Sequence, residues 1–297
     1  MDLDNKEIIQ NKKTGKIKYF LVLFIFIFML SLTFSPIKED KIIHIANNQT
    51  FSDVVEALAI ENIVSHPELF NLAGKALNIK IKTGDYLFKK STPFLGVLYQ
   101  LATQDHKISP IKLTLREGLT NDKMADILSQ KLQNFNREVF LEKAKDKEGS
   151  LFPDTYFFFP KTTEEEIIKE LGNTFEKRIQ KLNTQINNSG KSLDDILIMA
   201  SILEGEANGN KDNKIISGIL WKRLKINMPL QVDVDRKTYT EKGLPKKPLN
   251  NPGLDSISAA LWPEESSYLY YIHDKNGNTY YAKNYEEHKR NINLYLK

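Results

Sequence analysis

Glutamates at positions 204 and 206 close the most informative helical stretch of the chain, "SLDDILIMASILEGEANGN" (residues 192–210). Leu193, Ile196, Leu197, Ile198, Met199, Ala200, Ile202 and Leu203 leave almost no polar face, which is the pattern of a buried helix. At about 100° per residue, Leu193, Leu197, Ala200 and Glu204 fall on one stripe, and Glu206 projects to roughly the opposite side. A carboxyl group that continues a core stripe is desolvated, and desolvation favours the protonated form. A carboxylic acid that keeps its proton near neutrality can act as a general acid and protonate a leaving oxygen. The structural alternative is that Glu204 pairs with an arginine such as Arg223, since ion-pair networks perturb carboxyl groups too.

A second stretch, "LFPDTYFFFP" (residues 151–160), carries five aromatics, two prolines and one aspartate. A core strand would alternate aliphatics and avoid proline. A rigid aromatic wall with Asp154 beside Tyr156 and Phe157 suits a flat, polar ligand such as a sugar. Plain core packing is the alternative for at least one of Phe157 to Phe159.

Other chemistries find little support. The five histidines (44, 66, 106, 273 and 288) are scattered, with no HExxH, and no G-x-S-x-G elbow occurs. The "GKS" at 190–192 lacks a phosphate loop's first glycine, because that position is Gln185. The sequons at Asn48 and Asn187 are read as chance. The chain has no cysteine, which excludes disulfides, thiolate catalysis, Cys-ligated zinc and a lipid-modified cysteine. The net charge of +4 allows an acidic polymer as partner without requiring one, and no nucleic-acid-binding module is present.

These residues must be positioned by a chain of 297 residues, enough for one large domain or two modest ones. Residues 19–36, "YFLVLFIFIFMLSLTFSP", are almost wholly apolar and uncharged, about the length that spans a bilayer. Lys6, Lys12, Lys13, Lys16 and Lys18 precede them, so the positive-inside rule sets residues 1–18 in the cytoplasm and everything after Pro36 outside. A cleaved signal is the alternative, but its apolar region is usually shorter and ends at small residues. Residues 42–90 read as strand, helix, helix, strand. Thr50 or Ser52 caps the first helix, Ser65 starts the second, and Gly84-Asp85 forms a turn. "STPFLGVLYQLA" reads as a helix, "IKLTLREGLT" as a strand ending in a turn, and "NDKMADILSQKL" as a helix. Rising charge places a domain boundary near 132–150. "TTEEEIIKELGNTFEKRIQKL" is a surface helix, acidic in its first turn and basic in its last, as the helix dipole favours. Ser192 with Asp195 starts the apolar helix in the manner of a capping box, and Gly209 is a plausible stop.

Five motifs in order resemble the MltG/YceG-like endolytic murein transglycosylases. They are "EGSLFPDTY" (148–156), "ASILEGEA" (200–207), "KRLKINMPLQVD" (222–233), "TYTEKGLPKKPLNNPGLDSISAAL" (238–261), and the C-terminal "SYLYYI" with "YEEHKR". The resemblance covers roughly residues 40–292. It implies an α+β fold: a single N-terminal transmembrane helix (19–36), a LysM-like module with the following strand and helix (40–131), and a larger mixed catalytic domain (132–297). It makes Glu204 the catalytic acid, with Asp154, Tyr156, Gln231, Asp233, Tyr239 and Asn251 as cleft residues that contact saccharide. For each of these, a structural hydrogen bond is the alternative. The implied reaction is a lytic cut of the MurNAc–GlcNAc bond in nascent glycan that leaves 1,6-anhydroMurNAc ends and terminates elongation. It needs no metal and no organic cofactor. The implied partners are peptidoglycan strands, cell-wall synthases and the inner membrane; nucleic acid is not among them.

Several positions depart from the family pattern: Lys222, Lys237-Thr238, a short segment between Asp233 and Gly243, the Gly277–Tyr281 run without its histidine, and Gly205 in place of a lysine. Two alternatives remain, a non-catalytic glycan-binding scaffold for synthases and a muramidase-type hydrolase. For the hydrolase Asp233 is the candidate second acid, because hydrolases commonly use two carboxylates.

Overall fold

The computed structural model describes residues 37–206 and 212–296. The apolar segment 19–36, its basic flank and Gly209 lie outside the described residues. Among the described residues no helix is long and apolar enough to cross a membrane. The chain divides into two compact units, residues 1–110 and 111–297.

The first unit runs β1 (Lys41–Ile45), α1 (Phe51–Ile60), α2 (Pro67–Ala76), β2 (Gly84–Phe88) and α3 (Phe94–Ala102). Thr50 caps α1 in a reciprocal capping box with Asp53, which satisfies two otherwise orphaned N–H groups. Pro67 opens α2 behind His66, not Ser65; at the first helical position its missing N–H costs nothing. β1 and β2 pair antiparallel, with Ile43 opposite Tyr86. Gly84 and Asp85 lie inside β2 and do not form the expected turn. Asp85 is fully buried and 2.7 Å from His44 Nδ1, a contact that a solvent-exposed turn would give up. Ile45, Val54, Leu58, Phe70, Tyr86, Phe88 and Leu101 form this unit's core.

The second unit begins with β3 (Ile111–Thr114), α4 (Asn121–Lys131), α5 (Arg137–Lys143), β4 (Thr155–Phe158) and α6 (Glu164–Gln180). It continues through α7 (Asn183–Asn188), α8 (Leu193–Glu206), α9 (Asn213–Lys225), a 3₁₀ turn (Arg236–Tyr239) and α10 (Leu254–Leu261). The hairpin of β5 (Tyr270–His273) and β6 (Thr279–Ala282) and then α11 (Tyr285–Tyr295) complete it. The fold is mixed α+β, and its strands pair only two by two among the described residues. The division falls before β3, whereas the sequence places it after residue 131. β3 pairs antiparallel with β4 and α4 packs against α5, so residues 111–131 are held by chain that follows them.

The aromatic stretch contains a strand, contrary to the expectation from its prolines. Pro153 and Pro160 lie outside β4, where no ladder N–H is lost. Tyr156 and Phe158 turn inward and stack with ring centroids 5.7 Å apart. Phe157, between them, is 61% exposed.

α8 is buried as its sequence requires. The Ser192 hydroxyl accepts from Asp195 N–H at 3.0 Å, and Ile196 to Leu203 are all buried. A helix that is apolar all round needs neighbours all round. Here α9 and α10 supply them, with Ile216, Leu220, Ile257, Ala260 and Leu261 among the contacts.

Candidate active site

The burial of α8 carries Glu204 to its last turn, where the side chain is half-buried. Glu204 Oε2 accepts from the Gly253 N–H at 2.9 Å. Gly253 is the N-cap of α10, so this N–H lies at the positive end of a helix and supports a carboxylate there. Arg223 is engaged elsewhere: it is buried, and donates from Nε to Leu269 O at 2.7 Å and from Nη1 to Leu230 O at 2.6 Å. The Glu204–Arg223 pair is therefore not what the fold makes.

The turn after β3 closes on Glu204 from the other side. Gly118 has φ +77°, a conformation that disfavours side chains, and a Cβ there would sit 3.3 Å from Glu204 Cγ. The turn is tied down by two backbone bonds, Gly118 N–H to Asn251 O at 2.9 Å and Asn251 N–H to Leu119 O at 3.0 Å. This places Glu117 against the same glycine that binds Glu204: a Cβ on Gly253 would fall 1.9 Å from Glu117 Oε1. Burial, then the charges of Glu204 and Asp255, hold the Glu117 carboxyl above the usual carboxylate range. Sequence reasoning missed Glu117. In "REGLT" it reads only as a polar residue before a turn glycine, and its partner is distant in the chain.

Asn251 lies in the interior and not in the cleft, 1% exposed. Its Oδ1 accepts from Gly149 N–H at 2.9 Å and Leu151 N–H at 3.0 Å. Its Nδ2 donates to Leu119 O at 3.1 Å and Asn121 Oδ1 at 2.8 Å. With its amide so committed, Asn251 fixes the Glu117–Gly118 turn, the 149–151 loop and the start of α10 together. Buried amides are usually satisfied in this way. Asn250 Nδ2 and Leu249 N–H bond Ser201 O and Oγ, each at 2.9 Å, which ties the same segment to α8.

Tyr156 is also displaced from its expected role. It is 5% exposed and its hydroxyl donates to Phe152 O at 2.6 Å; burial pushes that hydroxyl up to about 12. Asp154 Oδ2 accepts from Arg178 Nη2 at 3.0 Å, and Arg178 lies over the Phe152 ring, 5.5 Å from its centroid. The motif thus builds a wall, but Asp154 and Tyr156 hold it from behind.

Asp233 does not join Glu204. Its N–H donates to Glu206 Oε1 at 2.9 Å, and its Oδ1 accepts from the Tyr239 hydroxyl at 2.6 Å. The Tyr271 hydroxyl donates to Glu206 Oε2 at 3.2 Å. The Asp233 bond, followed by burial, pushes the Tyr239 hydroxyl up to about 12. Gln231 is exposed, with φ +53°, and its N–H bonds Thr238 O at 3.0 Å. Gly205 admits this segment, since a Cβ there would fall 2.4 Å from Val234 Cγ1. Of the predicted cleft residues, Gln231, Asp233 and Tyr239 share this exposed neighbourhood beside Glu206. Among the described residues no group of three or more His, Cys, Asp or Glu is placed to hold a metal ion.

Glu206 gives a pH-dependent prediction. Burial raises its carboxyl above the usual range, against the opposing hydrogen bonds from Asp233, Val234 and Tyr271. The folded state then holds a proton that the unfolded state has released, so stability falls as pH rises through that window. Glu117 and Glu148 act with the same sign. Thermal melts across pH 4 to 8 are expected to show this fall, with a shallower slope in Glu206→Gln. Superimposable slopes would refute the assignment.

The comparisons agree with this architecture. The family model described as "YceG-like family" matches residues 43–236 and 237–294. An endolytic murein transglycosylase of Streptococcus pneumoniae serotype 2 is 26% identical over 86% of this chain and 58% of its own length. One from Bacillus subtilis is 32% identical over 54% of this chain and 51% of its own. The chain therefore spans a little over half the length of these relatives. A crystal structure of a YceG-like protein from Listeria monocytogenes superposes with TM-score 0.55 at 26% identity, covering 85% of this chain and 99% of that one. With the family model matched along nearly the whole described chain, the chain belongs to the YceG-like family.

Proposed function

We propose that this chain is an endolytic peptidoglycan lytic transglycosylase with Glu204 as its acid. The observation that carries this is the seat of Glu204, at the end of a buried helix and bonded to the Gly253 N–H, with Arg223 committed to carbonyls. Relatives named endolytic murein transglycosylase supply the substrate class. Glu204 gives its proton to the oxygen between MurNAc and GlcNAc as the C1–O bond breaks. The Gly253 N–H stabilises the carboxylate that results. That carboxylate then takes the proton of the MurNAc C6 hydroxyl as its oxygen bonds C1. The ring closes as 1,6-anhydroMurNAc and no water is consumed.

In this proposal the strand–helix–helix–strand order of residues 41–88 serves as a LysM-like glycan-holding module, and residues 111–297 carry the chemistry. Asp233, Tyr239 and Gln231 line the approach for saccharide. Segment 19–36 anchors the chain in the cytoplasmic membrane with the catalytic part outside, and wall synthases are its neighbours there. Mass spectrometry of fragments released from purified peptidoglycan tests the reaction. Anhydro ends are expected. Reducing ends would replace the proposal by a muramidase-type hydrolysis, and binding without release would replace it by the scaffold alternative.

A further inference from the structure

We propose that Glu117 is a second catalytic carboxylate beside Glu204, placed to stabilise the positive charge that builds on the sugar ring as the bridging oxygen is protonated. The inference rests on the transglycosylase function proposed above. It starts from one glycine. Gly253 gives its N–H to Glu204 Oε2 at 2.9 Å, and its Cα face is so close to Glu117 that an added Cβ would fall 1.9 Å from Oε1 and 2.0 Å from Cδ. Two carboxylates thus meet at one backbone position, one from near the start of the second unit and one from its middle.

The approach is built and not incidental. The turn carrying Glu117 is pinned by the reciprocal Gly118–Asn251 and Asn251–Leu119 backbone bonds. It needs a glycine at 118 both for φ +77° and for the contact with Glu204. Glu117 is exposed and makes no ion pair with a lysine or arginine among the described residues, so its charge is open to whatever lies in front of Glu204. Partial desolvation and then the charges of Glu204 and Asp255 raise the Glu117 carboxyl above the usual carboxylate range, and the ionised form that the proposal uses is the one present above that raised range.

In the cleavage step, the C1–O electron pair goes to the bridging oxygen, which takes the proton from Glu204. Positive charge spreads over C1 and the ring oxygen. Glu117 forms no bond; its ionised carboxylate faces that region and stabilises the developing positive charge electrostatically. The C6 hydroxyl oxygen then bonds C1, and its proton returns to Glu204. Protons and electrons balance without water or a further reactant.

The test uses the full chain and purified peptidoglycan, with Glu117→Gln and Gly253→Ala. The second variant keeps both glutamates in the sequence. Its N-cap φ of −77° suits any residue, and its methyl displaces the Glu117 carboxylate. Glu117→Gln is expected to lower kcat by about 10²-fold with KM within about threefold, the mark of an interaction made in the transition state. Gly253→Ala should lower kcat in the same direction, and both variants should melt within a few degrees of the wild type. A Glu117→Gln rate within about twofold of wild type, or a loss confined to KM, overturns the proposal. So does a loss that tracks a collapse in melting temperature. Failure of the underlying function looks different: the wild type itself would leave no anhydro ends, which overturns both.

Discussion

Glu204→Gln is expected to lower the rate of anhydro-end formation by about 10²- to 10⁴-fold, the usual worth of a positioned general acid, while leaving the fold intact. The amide oxygen can still accept from Gly253 N–H, so the bond seen at 2.9 Å survives. Only the proton that must move is lost. The stability change should stay within about 0.5 kcal/mol, since no packing is altered and one of two facing charges is removed. The comparison that matters is with Glu206→Gln. Glu206 holds the 231–239 segment through the Asp233 N–H and the Tyr271 hydroxyl and is not bonded to Gly253. Its amide variant should retain a measurable rate. Steady-state release assays with melting curves on both variants decide the point. If Glu206→Gln were the inactive variant and Glu204→Gln the active one, the roles assigned to the two glutamates would be reversed.

Asn251→Ala is expected to be the most damaging change to stability near the site. It leaves the buried Gly149 and Leu151 N–H groups without their acceptor and removes the donor to Leu119 O and Asn121 Oδ1. At about 1–3 kcal/mol for each buried group left unsatisfied, the loss is about 2–5 kcal/mol. For a unit of this size that lowers Tm by roughly 5–15 °C. Activity should fall by more than the unfolded fraction accounts for, because the same amide sets the turn that brings Glu117 and Gly118 to Glu204. Asn251→Asp keeps the Oδ1 acceptor but sets a carboxylate beside Leu119 O, Asn121 Oδ1 and Glu148, so it too should destabilise. A saccharide-binding role for Asn251 would instead raise KM with Tm unchanged. Calorimetry and glycan-release kinetics on the two variants distinguish these outcomes.

Some of this was legible in the sequence by itself. The all-round apolar run of α8 required burial, and 3.6-residue periodicity then assigned Glu204 and Glu206 to different faces. The caps at Thr50 and Ser192 follow from local hydrogen bonding and were visible. The motif order pointed to the family. The face assignment and the caps depend on residues a few positions apart, whose geometry a helix fixes without help from the rest of the chain.

Tertiary structure decided the surroundings of the acid. Tyr156 turned inward because β4 pairs in register with β3, and in a strand register alone determines which face a side chain takes. Asn251 became an interior clamp because the Leu119–Asn251 bridge brings two distant turns together, and a buried amide must then be satisfied within the fold. Asp233 went to Glu206 and not to Glu204 because the 231–239 segment packs on Gly205 through Val234. Glu117, which no local pattern marks, came to face Glu204 through that same bridge. Periodicity can say which face of a helix a carboxylate occupies, but what stands opposite it depends on non-local pairing.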